Sequence, residues 1–305
     1  MKRRSLLRAL LLSLSLIAST SISAADKRVL HVWKSLDTKA LRLSSKAALI
    51  ADEFGNRLYE KEADKSQPIA SLTKLMTAMV VLDSNLDREQ KITINKDDRD
   101  LMRLTGSRLR YGAKLTRREL VILALMSSEN RAAAALARAH PGGSKAFVRD
   151  MNIKAKQLHM YNSRFADPAG LDANNVASAS DIVRMVRAAA TYPLIRKATT
   201  LRYLDVRPLK KYGPLRYVNT NRLLRNKNWN ILTSKTGYIN EAGRCLVMMV
   251  DINGSEMVMV FLNSYGKLTP FGDANRTRKW LRKGVKKTRS KNTEPTLLSL
   301  KRASD

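Results

Sequence analysis

Three short runs in the chain hold residues able to do chemistry together. The first is Ser71-Leu72-Thr73-Lys74. A serine hydroxyl is a poor nucleophile until a base takes its proton. On a helix, positions i and i+3 share a face, so Lys74 can stand beside Ser71. A lysine serves as base when burial or neighbouring cations favour its neutral form. A helix start also stabilises negative charge developing near it. The second run is Ser128-Glu129-Asn130, where Ser128 can relay a proton and Asn130 can hold a substrate amide. The third is Lys235-Thr236-Gly237. Lys235 offers a charge and Thr236 a hydroxyl to a carboxylate, and Gly237 admits close approach of backbone or ligand. Singly, each run is weak: Ser264 to Lys267 repeats the first spacing, and Ser290-Lys291-Asn292 repeats the second.

The elements around these runs are predicted from pattern. Pro68 precedes an apolar stretch, Leu72 to Leu82, with helical spacing and neither Gly nor Pro. Thr116 to Glu119 fits a capping box that opens a helix through Met126. Ser127-Ser128 interrupts that helix, and the segment Arg131 to Ala139 resumes it, so the second run falls at a break where side chains enter a cleft. Pro141-Gly142-Gly143 stops the second helix, and Ser144 is expected to cap another over Lys145 to Leu158. Ser178 and Asp181 mark a helix ending near Pro193. Ala47 to Ala51 and Arg57 to Glu60 read as a hairpin. Cys245 to Ile252 and Met257 to Leu262 flank Asn253-Gly254, a strong hairpin signal, and a helix over Asp273 to Arg282 follows. The Lys-Thr-Gly run is expected just ahead of these last strands. Strands at both ends with helices between predict an α+β fold, its terminal strands forming one antiparallel sheet with a helical insertion.

Composition narrows the function. The chain has 305 residues, 57 Lys plus Arg against 26 Asp plus Glu, and a formal charge of +31. One Cys and three His exclude a disulfide framework and a Cys- or His-rich metal cage. Cys245 sits in an apolar run and is expected to pack as a small hydrophobe. Residues 1–25 read as a signal peptide, with Lys2, Arg3, Arg4 and Arg8 ahead of an apolar run and Ser23-Ala24-Ala25 at the cleavage site. Residues 26–45 form a polar lead-in, 46–283 a compact body that holds all three runs, and 284–305 a basic tail expected to be disordered. An exported basic chain meets membrane head groups and cell-wall carboxylates rather than nucleic acid, and 6% aromatic residues argue against a nucleic-acid binder. The tail is a candidate for contact with an anionic membrane surface.

The order of the three runs, separated by 57 and then 107 residues, resembles that of the penicillin-recognising serine enzymes, the D,D-peptidases and serine β-lactamases. Pro68 to Met76, Phe165-Ala166-Asp167-Pro168-Ala169-Gly170-Leu171-Asp172 and Asn219 to Leu223 extend the likeness to the low-molecular-mass penicillin-binding proteins. Ala124 to Ala133 and Pro141-Gly142-Gly143 are similar to the D-alanyl-D-alanine endopeptidases of the penicillin-binding protein 7 type. The resemblance implies a β-lactamase/D,D-peptidase-like fold and an acyl-enzyme on Ser71 with Lys74 as base. It implies that Ser128 and Lys235 handle the proton of the departing amine. Asn130 would position the substrate amide and Lys74, and Lys235, Thr236 and Gly237 would line the carboxylate subsite. The backbone N–H groups of Ser71 and Tyr238 would form the oxyanion hole. It implies no metal or cofactor, peptidoglycan stem peptides as substrate, β-lactams as covalent inhibitors and a periplasmic location.

Absences then sort the relatives. A class A β-lactamase needs a deacylating Glu between the second and third runs, and no Glu occurs from Arg131 through Asn240. A two-domain carboxypeptidase would carry a β-rich domain after the catalytic body, and 68 residues follow Gly237. The expectation is therefore an endopeptidase cutting the D-alanyl to diaminopimelyl crosslink. The alternatives are a carboxypeptidase removing terminal D-alanine and a non-catalytic wall-binding scaffold. Glu129 stands where many relatives have a small residue or Asp; it is read as branch-specific and without a catalytic role, or as an ion-pair partner of Arg131 or another base.

Overall fold

A computed structural model describes residues 36–292, with side chains through Gly284. The expected signal peptide lies outside the described residues, as does the tail from residue 293. The strands are β1 (Ala47–Asp52), β2 (Arg57–Lys61), β3 (Gln67–Pro68), β4 (Lys91–Thr93), β5 (Lys114–Thr116), β6 (Val176–Ala177), β7 (Tyr203–Val206), β8 (Leu215–Val218), β9 (Asn230–Ile239), β10 (Gly243–Ile252) and β11 (Ser255–Ser264). The helices are α1 (Thr73–Asp83), α2 (Arg117–Met126), α3 (Asn130–Arg138), α4 (Gly143–Gln157), α5 (Ala179–Ala190), α6 (Pro193–Thr200) and α7 (Thr269–Asn292).

One antiparallel sheet, in the order β2-β1-β11-β10-β9, joins the two ends of the chain as expected. Its central strands are apolar along their middles, Cys245 to Val250 and Met257 to Leu262, because both faces are covered. Cys245, Val247 and Met249 face the helical layer, while Leu246, Met248 and Val250 pack toward Trp280 and Leu281 of α7. Asn253 and Gly254 both take positive φ, 56° and 86°. The two-residue turn that fits the twist of a hairpin requires this. Cys245 is buried, which pushes its thiol up to about 12 and leaves it inert.

The helical layer is built around α1. From Thr73 through Val81 every side chain of α1 is buried. A helix apolar on all sides belongs inside a protein, so this one holds Lys74 away from water. The capping box forms as expected: Thr116 Oγ1 accepts from the Glu119 N–H at 3.1 Å, and Glu119 Oε2 accepts from the Thr116 N–H at 2.7 Å. Ser178 likewise caps α5. Pro193 does not close that helix but occupies the first turn of α6, where its missing N–H costs nothing.

Three expectations are corrected. Gly142, at φ 78°, and not Ser144, stands at the N-cap of α4. The last helix continues through Gly284 to Asn292, so the start of the expected tail is helical. The Lys-Thr-Gly run lies inside β9 rather than ahead of the strands. That strand is at the sheet edge, so its far side is open to a ligand.

Candidate active site

Ser71 lies in a single 3₁₀ turn, Ala70–Leu72, that runs directly into α1. Ala70 is held at φ 48°, a left-handed conformation rare outside glycine. Two glycines make room for this turn. A Cβ on Gly170 would lie 2.0 Å from Ala70 O, and one on Gly237 would lie 3.1 Å from Ser71 N. The second contact brings the edge strand β9 against the backbone of Ser71.

Lys74 is fully buried. Its Nζ lies 2.8 Å from Ser71 Oγ, 2.7 Å from Asn130 Oδ1 and 2.6 Å from Ala169 O. Burial pushes the amine down to about 7, against Asp167, Glu129 and Asp100, whose charges hold it up. Near neutral pH a large share of Lys74 is therefore uncharged. A neutral amine has two N–H bonds and one lone pair. With two acceptors taken by Asn130 Oδ1 and Ala169 O, the lone pair is left for the Ser71 hydroxyl.

The other side of the cleft is the break between α2 and α3. Ser128 sits there at φ 61° and accepts from Lys235 Nζ at 2.9 Å. Lys235 also donates to Thr236 O at 2.9 Å. Burial first, and Lys74 second, push its amine well below the ordinary lysine value. Thr236 Oγ1 lies 2.7 Å from Thr220 Oγ1. The Thr220 N–H in turn donates to Met126 O at 3.0 Å, tying β9 to the end of α2. The structure thus gathers Ser71, Lys74, Ser128, Asn130, Lys235, Thr236 and Gly237 at one cleft, with Tyr238 half-exposed beside them. The repeats of these spacings stay apart from it: Ser264 is buried beneath Ser45, and Ser290-Lys291-Asn292 belongs to the end of α7.

Glu129 is not an ion-pair partner of Arg131. It is the N-cap of α3, accepting the Arg131 N–H at 3.3 Å. It begins the helix that carries Asn130, and its charge lies near enough to support protonated Lys74.

Several contributors were not assigned from sequence. Asp167 accepts from the N–H groups of Ala169, Gly170, Leu171 and Asp172 at 2.6 to 3.0 Å. This one carboxylate winds residues 167–172 into the loop that aims Ala169 O at Lys74. Thr105 Oγ1 accepts from Asn130 Nδ2 at 2.9 Å and donates to Asp100 Oδ2 at 2.7 Å, fixing the amide. Arg103 donates to Leu171 O and pairs with Glu241 at 2.9 Å, bridging the cleft mouth. Arg244 stacks over the Tyr238 ring, 3.6 Å from its centroid, and adds a cation at the same lip. The Asp-Pro-Ala-Gly signal for the loop stood in the sequence, but its key atom, a backbone oxygen, has no letter.

A serine beside a buried lysine of lowered pKa, a second hydroxyl–lysine pair and an edge strand make the site of a serine hydrolase, with no histidine among the residues gathered at it. The chain matches the D-alanyl-D-alanine carboxypeptidase family over residues 34–266 and belongs to it. It is 45% identical over 276 residues to the D-alanyl-D-alanine endopeptidase of Pseudomonas aeruginosa, covering 90% of this chain and 87% of that one. It is 40% identical to the D-alanyl-D-alanine endopeptidase of Escherichia coli, covering 88% and 87%. Among solved structures, the Streptomyces K15 DD-transpeptidase superposes with a TM-score of 0.74 at 27% identity, covering 79% of this chain and 98% of that one.

Proposed function

We propose that the protein is a penicillin-sensitive serine D,D-endopeptidase that opens D-alanyl crosslinks of peptidoglycan, with carboxypeptidase action on terminal D-alanine as the second reading. The observation that carries it is the contact of a buried Lys74, lowered to about 7, with Ser71 Oγ at 2.8 Å. The similarity to two endopeptidases over nearly their whole length supports the crosslink as substrate. The family's own description, a carboxypeptidase, supports the second reading, since both share one acyl donor.

Lys74 takes the Ser71 proton as Oγ attacks the D-alanyl carbonyl. The N–H groups of Ser71 and Tyr238 receive the oxyanion; donors fixed in advance toward developing charge are a large catalytic factor. The amine leaves with that proton, handed on from Lys74 through the Ser128 hydroxyl beside Lys235, which returns Lys74 to its neutral form. Water then releases the acyl group with Lys74 again as base. Lys235 and Thr236 grip a substrate carboxylate, whose arrival supplies the counter-charge that the free site lacks around Lys235. A β-lactam acylates the same Ser71. The periplasm, reached through the signal peptide, is the compartment where this substrate lies.

Digestion of purified muropeptides by the protein, read by mass spectrometry, tests the reading. Crosslinked dimers should split into monomers with the wild type and not with Ser71→Ala. Loss of terminal D-alanine from pentapeptides without dimer cleavage would establish the carboxypeptidase instead. No change in either substrate would overturn both readings.

A further inference from the structure

A groove of about 400 Å³ lies beside the catalytic cleft, between the loop preceding β5 and the β7–β8 connection. Arg108, Arg110, Pro208, Leu209, Tyr212 and Leu215 line it. Its walls are joined: the Lys114 N–H donates to Pro208 O at 2.8 Å, and Arg108 Nη2 donates to Arg216 O at 2.7 Å. The guanidinium of Arg108 stacks on Tyr217 at 4.1 Å, and that of Arg110 on Tyr212 at 4.7 Å. A stacked guanidinium is oriented: Arg108 spends one N–H on Arg216 O and keeps others for a carboxylate, while Arg110 presents its N–H edge for paired hydrogen bonds.

Charge favours an acidic ligand. No Asp or Glu occurs from Leu101 to Arg118 or from Val206 to Asn240, while Arg207, Lys210 and Lys211 lie on the rim. The acid on β7, Asp205, is already held by Arg216 at 2.8 and 2.9 Å.

Both walls lead to the site. The first carries Thr105, the partner of Asn130. The second runs along β8 to Thr220, the partner of Thr236. From Leu215 to Thr220 is on the order of 17 Å of extended chain, about the length of a stem peptide. A crosslink joins two such peptides, of which only one is acylated, and the second must leave the cleft along a wall.

We propose that this groove is an exosite for the second stem peptide of a crosslinked dimer, its free carboxylates on Arg108 and Arg110 and its aliphatic part on Tyr212, Pro208 and Leu209. The assignment rests on the endopeptidase reading and gives it a structural basis for preferring dimers.

The test uses Arg110→Glu and Tyr212→Ala, with three readouts. Arg110→Glu should raise KM for crosslinked dimers about tenfold, the cost of one charge-assisted contact replaced by repulsion. It should leave kcat, and acylation by a small penicillin, unchanged. Added salt should weaken the wild type toward the variant. Equal KM values for wild type and Arg110→Glu would overturn the exosite. So would a parallel fall in penicillin acylation, which marks a structural defect, or sensitivity to Tyr212→Ala alone, which marks a neutral sugar. Equilibrium binding of dimers to Ser71→Ala protein separates the two claims. If wild type cleaves no dimers but Ser71→Ala binds them and loses them on Arg110→Glu, the exosite stands and the endopeptidase reading fails.

Discussion

The cleft holds two fully buried lysines, and the regions around them are built differently. Lys74 rises from the centre of the helical layer and meets three oxygens, with the carboxylates of Asp167, Glu129 and Asp100 near enough to support its charge. Lys235 rises from an edge strand, meets Ser128 Oγ and its neighbour's carbonyl, and has Lys74 as its main charged neighbour. Burial lowers both amines; neighbours decide how far. The Lys74 region is complete in the free protein and leaves a base poised near neutral pH. The Lys235 region is short of one negative charge, which suits a group that binds a carboxylate.

The contrast breaks most sharply at Lys74. Lys74→Arg keeps a cation but removes the neutral state, since guanidinium does not deprotonate. Acylation by a fluorescent penicillin should fall about a thousandfold or more, the scale of losing an activating base. A variant that acylates within tenfold of wild type would transfer the base role elsewhere.

Asp167→Asn attacks the same region from behind. The loop loses a charged acceptor of four backbone N–H groups, which should cost about 2 kcal/mol in urea unfolding. It also removes the charge that most supports protonated Lys74. The lysine then sheds its proton at lower pH, and the acid limb of the acylation profile should move to lower pH. A limb that moves upward would contradict the assigned balance of charges.

Asp167 also marks where sequence reading stops. Ser71, Lys74, Ser128, Asn130 and Lys235 were legible because each contributes a side chain and the three spacings occur in order. The Ala169 carbonyl was not legible, although the loop's residues were noticed, because a backbone atom acquires its role only when the loop closes. The place of Lys235 within β9 was missed for a related reason. A Gly in a Lys-Thr-Gly run signals a turn locally, yet Gly237 is needed for the contact between β9 and the Ser71 turn. Glu129 reads from sequence as branch-specific or as an ion-pair partner; its place before α3 makes it a cap, and its charge bears on Lys74 instead of Arg131. The sheet was legible because strand signals stand at both ends of the chain with helices between, so the two ends must pair to share one core.

Gly237→Ala tests the junction of the two regions. Its Cβ would sit 3.0 Å from Ile69 O and 3.1 Å from Ser71 N, forcing β9 away from the nucleophile. Stability should fall by about 1 kcal/mol, as overpacking typically costs, and acylation should fall with it. An unchanged acylation rate would separate β9 from the oxyanion hole. The smallest effect is expected at the cleft mouth. Glu241→Gln breaks the pair with Arg103, but that pair is partly exposed and should cost under about 1 kcal/mol in thermal unfolding. A larger loss would make this bridge a structural clamp.

If buried, neutral Lys74 activates Ser71, the acylation rate measured across pH 5 to 10 must follow the titration of that lysine. The lysine is protonated and inactive below its own titration and neutral above it. The rate should therefore rise with pH to a half-maximum at about 7, as its depressed value requires. A rate independent of pH through that range, or one that rises only near the ordinary lysine value, would contradict it.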